Sequence, residues 1–128
     1  MDDLPPPATL RVALVEDDAG VAAGMERVLA LLQIAVEKFA SAEDLLDGLA
    51  RIEAHCCVFD VHLPEMTGLE LLHELRARGW RLPVILITAD DEPEIRAAAE
   101  REGAAAFFVK PFDSRAFAYA IRAAVPAP

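Results

Sequence analysis

Glu16, Asp17, Asp60, Thr88 and Lys110 have the types and spacing to do chemistry together, because each follows directly on a short apolar run. Val12-Ala13-Leu14-Val15 leads into Glu16-Asp17, Cys56-Cys57-Val58-Phe59 into Asp60, Val84-Ile85-Leu86-Ile87 into Thr88, and Ala106-Phe107-Phe108-Val109 into Lys110. Two carboxylates about 4 Å apart repel by roughly 4 kcal/mol at an effective dielectric near 20, so three in one crevice need a counter-charge. A divalent cation supplies it, and Mg2+ suits a site of few carboxylates, several waters and a shared phosphate. Glu16, Asp17 and Asp60 offer that ligand set, which the backbone carbonyl of His62 could complete. A carboxylate can also attack phosphorus to form an aspartyl phosphate. Asp60, at the end of a core run where an unpaired carboxylate is expensive, is the candidate nucleophile. Lys110 can pair with the carboxylates at rest and with a phosphoryl oxygen afterwards. Thr88 can donate its hydroxyl to an acyl phosphate, and Ala89 leaves room beside it. Plainer roles stand next to these. Asp17 or Asp18 can cap a helix while Glu16 is solvated, Lys110 can snorkel from a strand end, and Thr88 is a good strand residue in its own right. A cis Lys110-Pro111 bond is permitted and would aim the lysine inward.

The elements that must position these groups follow from the apolar pattern. Short apolar runs bounded by turn signals suit buried parallel strands, and the segments between them have helical spacing. Val21, Met25, Val28, Leu29 and Leu32 form the stripe of a first helix, and Ile34 to Phe39 a second strand. Ser41-Ala42-Glu43-Asp44 starts a helix carrying Leu45, Leu46, Leu49 and Ile52, and Thr67-Gly68-Leu69-Glu70 starts another that ends at Gly79. A fourth helix runs from Asp91 to Glu102, with Pro93 in its first turn and Gly103 after its last. Asp113 or Ser114 caps a fifth, with Phe117 and Ile121 on its inner face. Strict alternation with right-handed crossovers predicts an α/β fold: a doubly wound five-stranded parallel sheet, order 2-1-3-4-5, with five helices in the flavodoxin-like manner. In that order the chain reverses between the first and third strands, whose ends carry Glu16-Asp17 and Asp60. Ligands bind at such a crevice.

The chain has 128 residues, which fits one domain. Residues 1–9 read as a flexible segment, 10–124 as the domain, and 125–128 as a tail or the stump of a linker. A formal net charge of -10 argues against direct binding to nucleic acid or to an anionic membrane. The acidic, proline-rich start does not resemble a signal peptide, and no long apolar stretch suggests a membrane span, so a cytoplasmic location is expected. Adjacent Cys56 and Cys57 point to opposite faces of a strand and read as buried, reduced thiols. His55, His62 and His73 have no zinc-like spacing.

The runs Val15-Glu16-Asp17-Asp18, Phe59-Asp60-Val61-His62-Leu63-Pro64-Glu65-Met66-Thr67-Gly68, Ile87-Thr88-Ala89 and Val109-Lys110-Pro111-Phe112 resemble, in order and interval, the receiver domains of two-component response regulators. Phe39-Ala40-Ser41-Ala42-Glu43-Asp44-Leu45 and Lys110-Pro111-Phe112-Asp113 are most similar to the FixJ-like branch. Departures are Glu16 for the commoner Asp, Leu63 for Met, Phe107 for Tyr, and the lack of a glycine before the second strand. The resemblance implies that Asp60 accepts a phosphoryl group from a histidine kinase or phosphotransfer protein, with Mg2+ held by Glu16, Asp17, Asp60 and the His62 carbonyl. Thr88 and Lys110 would bind phosphoryl oxygens and Phe107 would be the aromatic half of the switch, although on the sequence alone Phe107 serves equally as a core residue.

The expected readout is a face made by the fourth helix, fifth strand and fifth helix, offered to a downstream protein, to an output domain, or to a second copy on phosphorylation. The fourth helix brings only Ile95 and alanines to the core and should be the most mobile. A domain that phosphorylates and dephosphorylates itself is not an enzyme with an external substrate. The rival reading, a phosphohydrolase or phosphotransferase, wants a second acid two residues after the nucleophile, where this chain has His62. A nucleotide or flavin site lacks its glycine-rich loop. A receiver-like module that no longer uses phosphate would not need the full set of pocket groups.

Overall fold

The computed structural model describes residues 9–125, so the expectations for residues 1–8 and 126–128 lie outside the described residues. Five strands, β1 (Leu10–Val15), β2 (Ile34–Phe39), β3 (Cys56–Asp60), β4 (Val84–Thr88) and β5 (Ala106–Val109), alternate with five helices. The helices are α1 (Ala19–Leu31), α2 (Ala42–Asp47), α3 (Gly68–Ala77), α4 (Pro93–Arg101) and α5 (Ser114–Ala124). All pairings are parallel and the sheet order is β2-β1-β3-β4-β5. The doubly wound topology is the one the alternation predicts.

Strand periodicity divides the core into two layers. Ala13, Val15, Cys57, Phe59, Val84 and Leu86 point to the face covered by Leu45 of α2, Leu71, Leu72 and Leu75 of α3, and Ala99 of α4. Val12, Leu14, Cys56, Val58, Ile85 and Ile87 point to the other, covered by Ala22 and Leu29 of α1 and Phe117, Ala118 and Ile121 of α5. Every residue of β3 and β4 is buried, as strands sandwiched between helices must be.

Two boundaries differ from expectation. The helix expected to carry Leu49 and Ile52 stops at Asp47, and a 3-10 turn spans Leu49–Arg51. Gly48 interrupts the stripe, and glycine is a poor helix interior residue, so the chain tightens there while both side chains still pack on the core. The fourth helix is shorter than 91–102: Glu92 is its N-cap and Pro93 opens it, where a missing N–H costs nothing. Gly79 (φ 81°) and Gly103 (φ 83°) follow α3 and α4 in the left-handed conformation that glycine tolerates. After α1 that place falls to Gln33 (φ 67°), so the absent glycine is replaced by a residue that bears the cost of the same turn. Only Ala99 of α4 is fully buried, which makes it the helix with the least to lose by moving.

Candidate functional site

The sheet's ladders continue past the strands and so fix the first residue of each loop. Glu16 N–H donates to Phe39 O (3.0 Å), Val61 N–H to Ile87 O (2.8 Å) and Lys110 N–H to Thr88 O (2.7 Å). Glu16, Asp60, Thr88 and Lys110 therefore sit along one edge. The loop that carries Lys110 is pinned by Phe108, Phe112 and Phe117, whose ring centroids lie 5.3, 5.3 and 4.8 Å apart. The Lys110–Pro111 peptide bond within it is cis.

Lys110 joins the two buried carboxylates. Its ammonium donates to Glu16 Oε1 at 3.0 Å and to Asp60 Oδ2 at 3.0 Å. The other oxygen of each carboxylate takes a backbone amide: Glu16 Oε2 accepts from Asp18 N–H (3.2 Å) and Asp60 Oδ1 from His62 N–H (2.9 Å). Glu16 is 4% exposed and Asp60 6%, so neither is the solvated acid of the plainer reading. Asp18, by contrast, is the N-cap of α1, accepting from Val21 N–H at 3.0 Å. Asp17 is exposed, and its carboxylate completes a set with Glu16 and Asp60 whose ligand oxygens all lie within 4.8 Å of one another. Three hard oxygen donors at that spacing fit Mg2+.

One ammonium between two acids leaves them unequal. Burial pushes the Glu16 carboxyl above its ordinary range and the facing Asp60 adds to the rise, against the Lys110 and Asp18 hydrogen bonds. Burial pushes Asp60 up as well, but hydrogen bonds from Lys110 and the His62 amide outweigh it and hold Asp60 below the ordinary range. Burial pulls the Lys110 ammonium down, yet its two carboxylate partners carry it above the usual lysine value. The arrangement makes Asp60 the more readily ionised of the two acids and keeps Lys110 charged beside it.

Thr88 is fully buried at the end of β4, and its hydroxyl accepts from Asp90 N–H at 3.1 Å. Ala89 is exposed in the loop that follows. Phe107 is half-buried on β5, paired in register with Leu86, and thus on the same sheet face as Thr88 two residues along β4. Its ring lies under the guanidinium of Arg96, 4.7 Å from centroid to Cζ. His62 is exposed, with its Nε2 3.1 Å from Asp90 Oδ2, so its ring spans the rim between the loops after β3 and β4.

Three participants escape a reading of the sequence. Asp90 and Arg96 look like ordinary charges at a helix start, and only the fold brings them to His62, Thr88 and Phe107. Gly68 reads as part of a capping signal, and the capping box is indeed formed by Thr67 and Glu70. It has a second role: a Cβ there would stand 2.2 Å from the Asp60 carbonyl oxygen, so only glycine lets α3 start against the strand that carries Asp60.

A family model described as the response regulator receiver domain matches residues 12–122. The chain is 37% identical over 119 residues to the transcriptional regulatory protein FixJ of Azorhizobium caulinodans, covering 93% of this chain and 56% of that protein. It is 32% identical over 114 residues to the response regulator protein TodT of Pseudomonas putida, covering 89% and 50%. The chain thus spans about half the length of the curated relatives it matches. The crystal structure of FixJ-N aligns with a TM-score of 0.85 at 28% identity over 100% of both chains. The chemotaxis protein CheY4 of Vibrio cholerae aligns at 0.83 and 22% identity, covering 92% of this chain and 100% of that one, a likeness of fold alone. Sequence, topology and family match agree that the chain belongs to the receiver domains of two-component response regulators.

Proposed function

We propose that Asp60 is the phosphoacceptor of a signalling domain that receives its phosphoryl group from a histidine kinase or phosphotransfer protein. The observation that carries this reading is the state of Asp60: a nearly buried carboxylate, held ionised by Lys110 and the His62 amide at the carboxyl edge of the sheet. An Asp60 oxygen attacks phosphorus, and the new O–P bond forms as the donor's N–P bond breaks and its electron pair returns to the imidazole. Glu16, Asp17 and Asp60, with the His62 carbonyl, would hold Mg2+, whose charge offsets that of the entering group. Lys110 is already in place to follow the negative charge onto a phosphoryl oxygen. Thr88, whose hydroxyl accepts from the Asp90 amide, would donate its own proton to a phosphoryl oxygen, and its loop would move as the side chain turns.

Movement of that loop would be read on the face of α4, β5 and α5, by a downstream protein, by an output domain in a longer chain, or by a second copy. The domain acts on its own side chain rather than on an external substrate, in the cytoplasm where such donors are found. Incubation with acetyl phosphate and Mg2+ followed by intact mass spectrometry tests the reading. The expected result is one phosphoryl adduct, absent in Asp60→Asn. An adduct that persists in the variant, or none in the native chain, rejects it.

A further inference from the structure

We propose that Arg96 is a positioning residue of the switch: stacked on Phe107, it holds the ring outward and sets how readily the domain enters its phosphorylated conformation. The inference rests on the phosphoacceptor reading of Asp60 for its consequence, though not for its geometry. The Arg96 guanidinium is fixed on two sides. Its Cζ lies 4.7 Å from the Phe107 centroid, and its Nη2 donates to Asp91 Oδ1 at 2.9 Å. Asp91 stands just before α4 and Arg96 on its first turns, so the clamp ties the start of that helix to β5.

Beside this pair lies a cavity of about 300 Å³ lined by Ala99, Glu100, Ala104, Ala105 and Ala106 besides Arg96 and Phe107. Phe107 packs on the core from one side, small alanines make most of the cavity wall, and the guanidinium is the ring's cationic restraint. Phe107 and Thr88 share one face of the sheet, and Thr88 is fully buried with its hydroxyl on the Asp90 amide. When Thr88 turns toward a phosphoryl group it vacates space on that face, and the ring can enter only by leaving Arg96. Two positions of one ring compete, and whatever favours the outward one must oppose phosphoryl binding by the same factor.

Beryllofluoride with Mg2+ is the probe, titrated into the native chain, Arg96→Ala, Arg96→Lys and Asp91→Asn, with the Phe107 side-chain rotamer followed by NMR before and after. Arg96 is exposed, so these variants should fold. In Arg96→Ala without beryllofluoride, Phe107 should populate a second, inward rotamer, and beryllofluoride affinity should rise about two- to fivefold, the size of an exposed cation–π contact. Arg96→Lys, which keeps a cation but not the planar stack, should fall between the two, and Asp91→Asn should shift in the same direction by less. Unchanged rotamer populations in Arg96→Ala overturn the clamp, as does an affinity that stays the same or falls. A native chain that does not bind beryllofluoride would instead reject the phosphoacceptor reading, and the rotamer populations would still decide the clamp.

Discussion

Glu16 is the acid that the site holds at a cost. Its folded pKa is raised, so what it contributes to stability is complete below its unfolded value and is lost as pH rises through the folded one. At neutral pH its ionised form therefore works against folding. Glu16→Gln should stabilise the protein without Mg2+, as a higher urea midpoint with unchanged slope, and should weaken the response to Mg2+. A lower midpoint would mean that the Lys110 ion pair outweighs burial at this residue. Asp60 has the opposite sign: its pKa is lowered, so its contribution is present above the unfolded value and lost as pH falls through the folded one. Asp17 is exposed at the rim of the same site. Asp17→Asn should leave the metal-free melting temperature nearly unchanged but remove most of the rise that Mg2+ gives the native chain. If the variant responds to Mg2+ as the native chain does, Asp17 is not a ligand.

At the scale of elements, the loops rather than the strands set the site. Gly68→Ala would place a Cβ 2.2 Å from the Asp60 carbonyl oxygen and 2.9 Å from its carbon. Both are backbone atoms of the strand that presents Asp60, so α3 or β3 must shift. A loss of about 2–3 kcal/mol in urea unfolding is expected, with slower phosphorylation by acetyl phosphate. Gln33→Gly should act in the opposite direction, raising stability by roughly 0.5–1 kcal/mol because the left-handed turn after α1 no longer strains a side chain. The same elements show what a sequence makes legible. Apolar runs and turn residues mark all five strands, their order and the groups at their ends, since these depend on local pattern and on handedness. Gly48, which splits one expected helix into a helix and a 3-10 turn, sits within a stripe whose period continues through it. Asp90 and Arg96 were not legible because their partners, His62 in the loop after β3 and Phe107 on β5, come from distant parts of the chain, and neither stacking nor a rim ion pair leaves a periodic trace. Gly68 showed only its capping role, because the close approach to Asp60 is made across the fold.

For the whole molecule, the central question is whether the two helical layers come apart together, and the paired thiols of β3 can answer it. Cys56 faces the layer of α1 and α5, while Cys57 faces that of α2, α3 and α4, and both are fully buried. Burial pushes the Cys56 thiol up to about 12, and Cys57 further still. Raised folded values mean that the stability these neutral thiols confer is complete below about pH 9 and is lost as pH climbs toward the folded values. In that range each unfolded thiolate also adds to a chain already at -10, so alkaline unfolding should be steep. Labelling with a thiol-disulfide reagent at about pH 8 should leave the native protein untouched and modify both cysteines at one common rate, the rate of global opening. Faster labelling of Cys57 alone would show that the layer containing α4, with only Ala99 fully buried in that helix, opens on its own. The α4 part of the proposed face would then be a separately unfolding unit rather than a rigid helix that shifts, and phosphorylation would act by changing how often it opens.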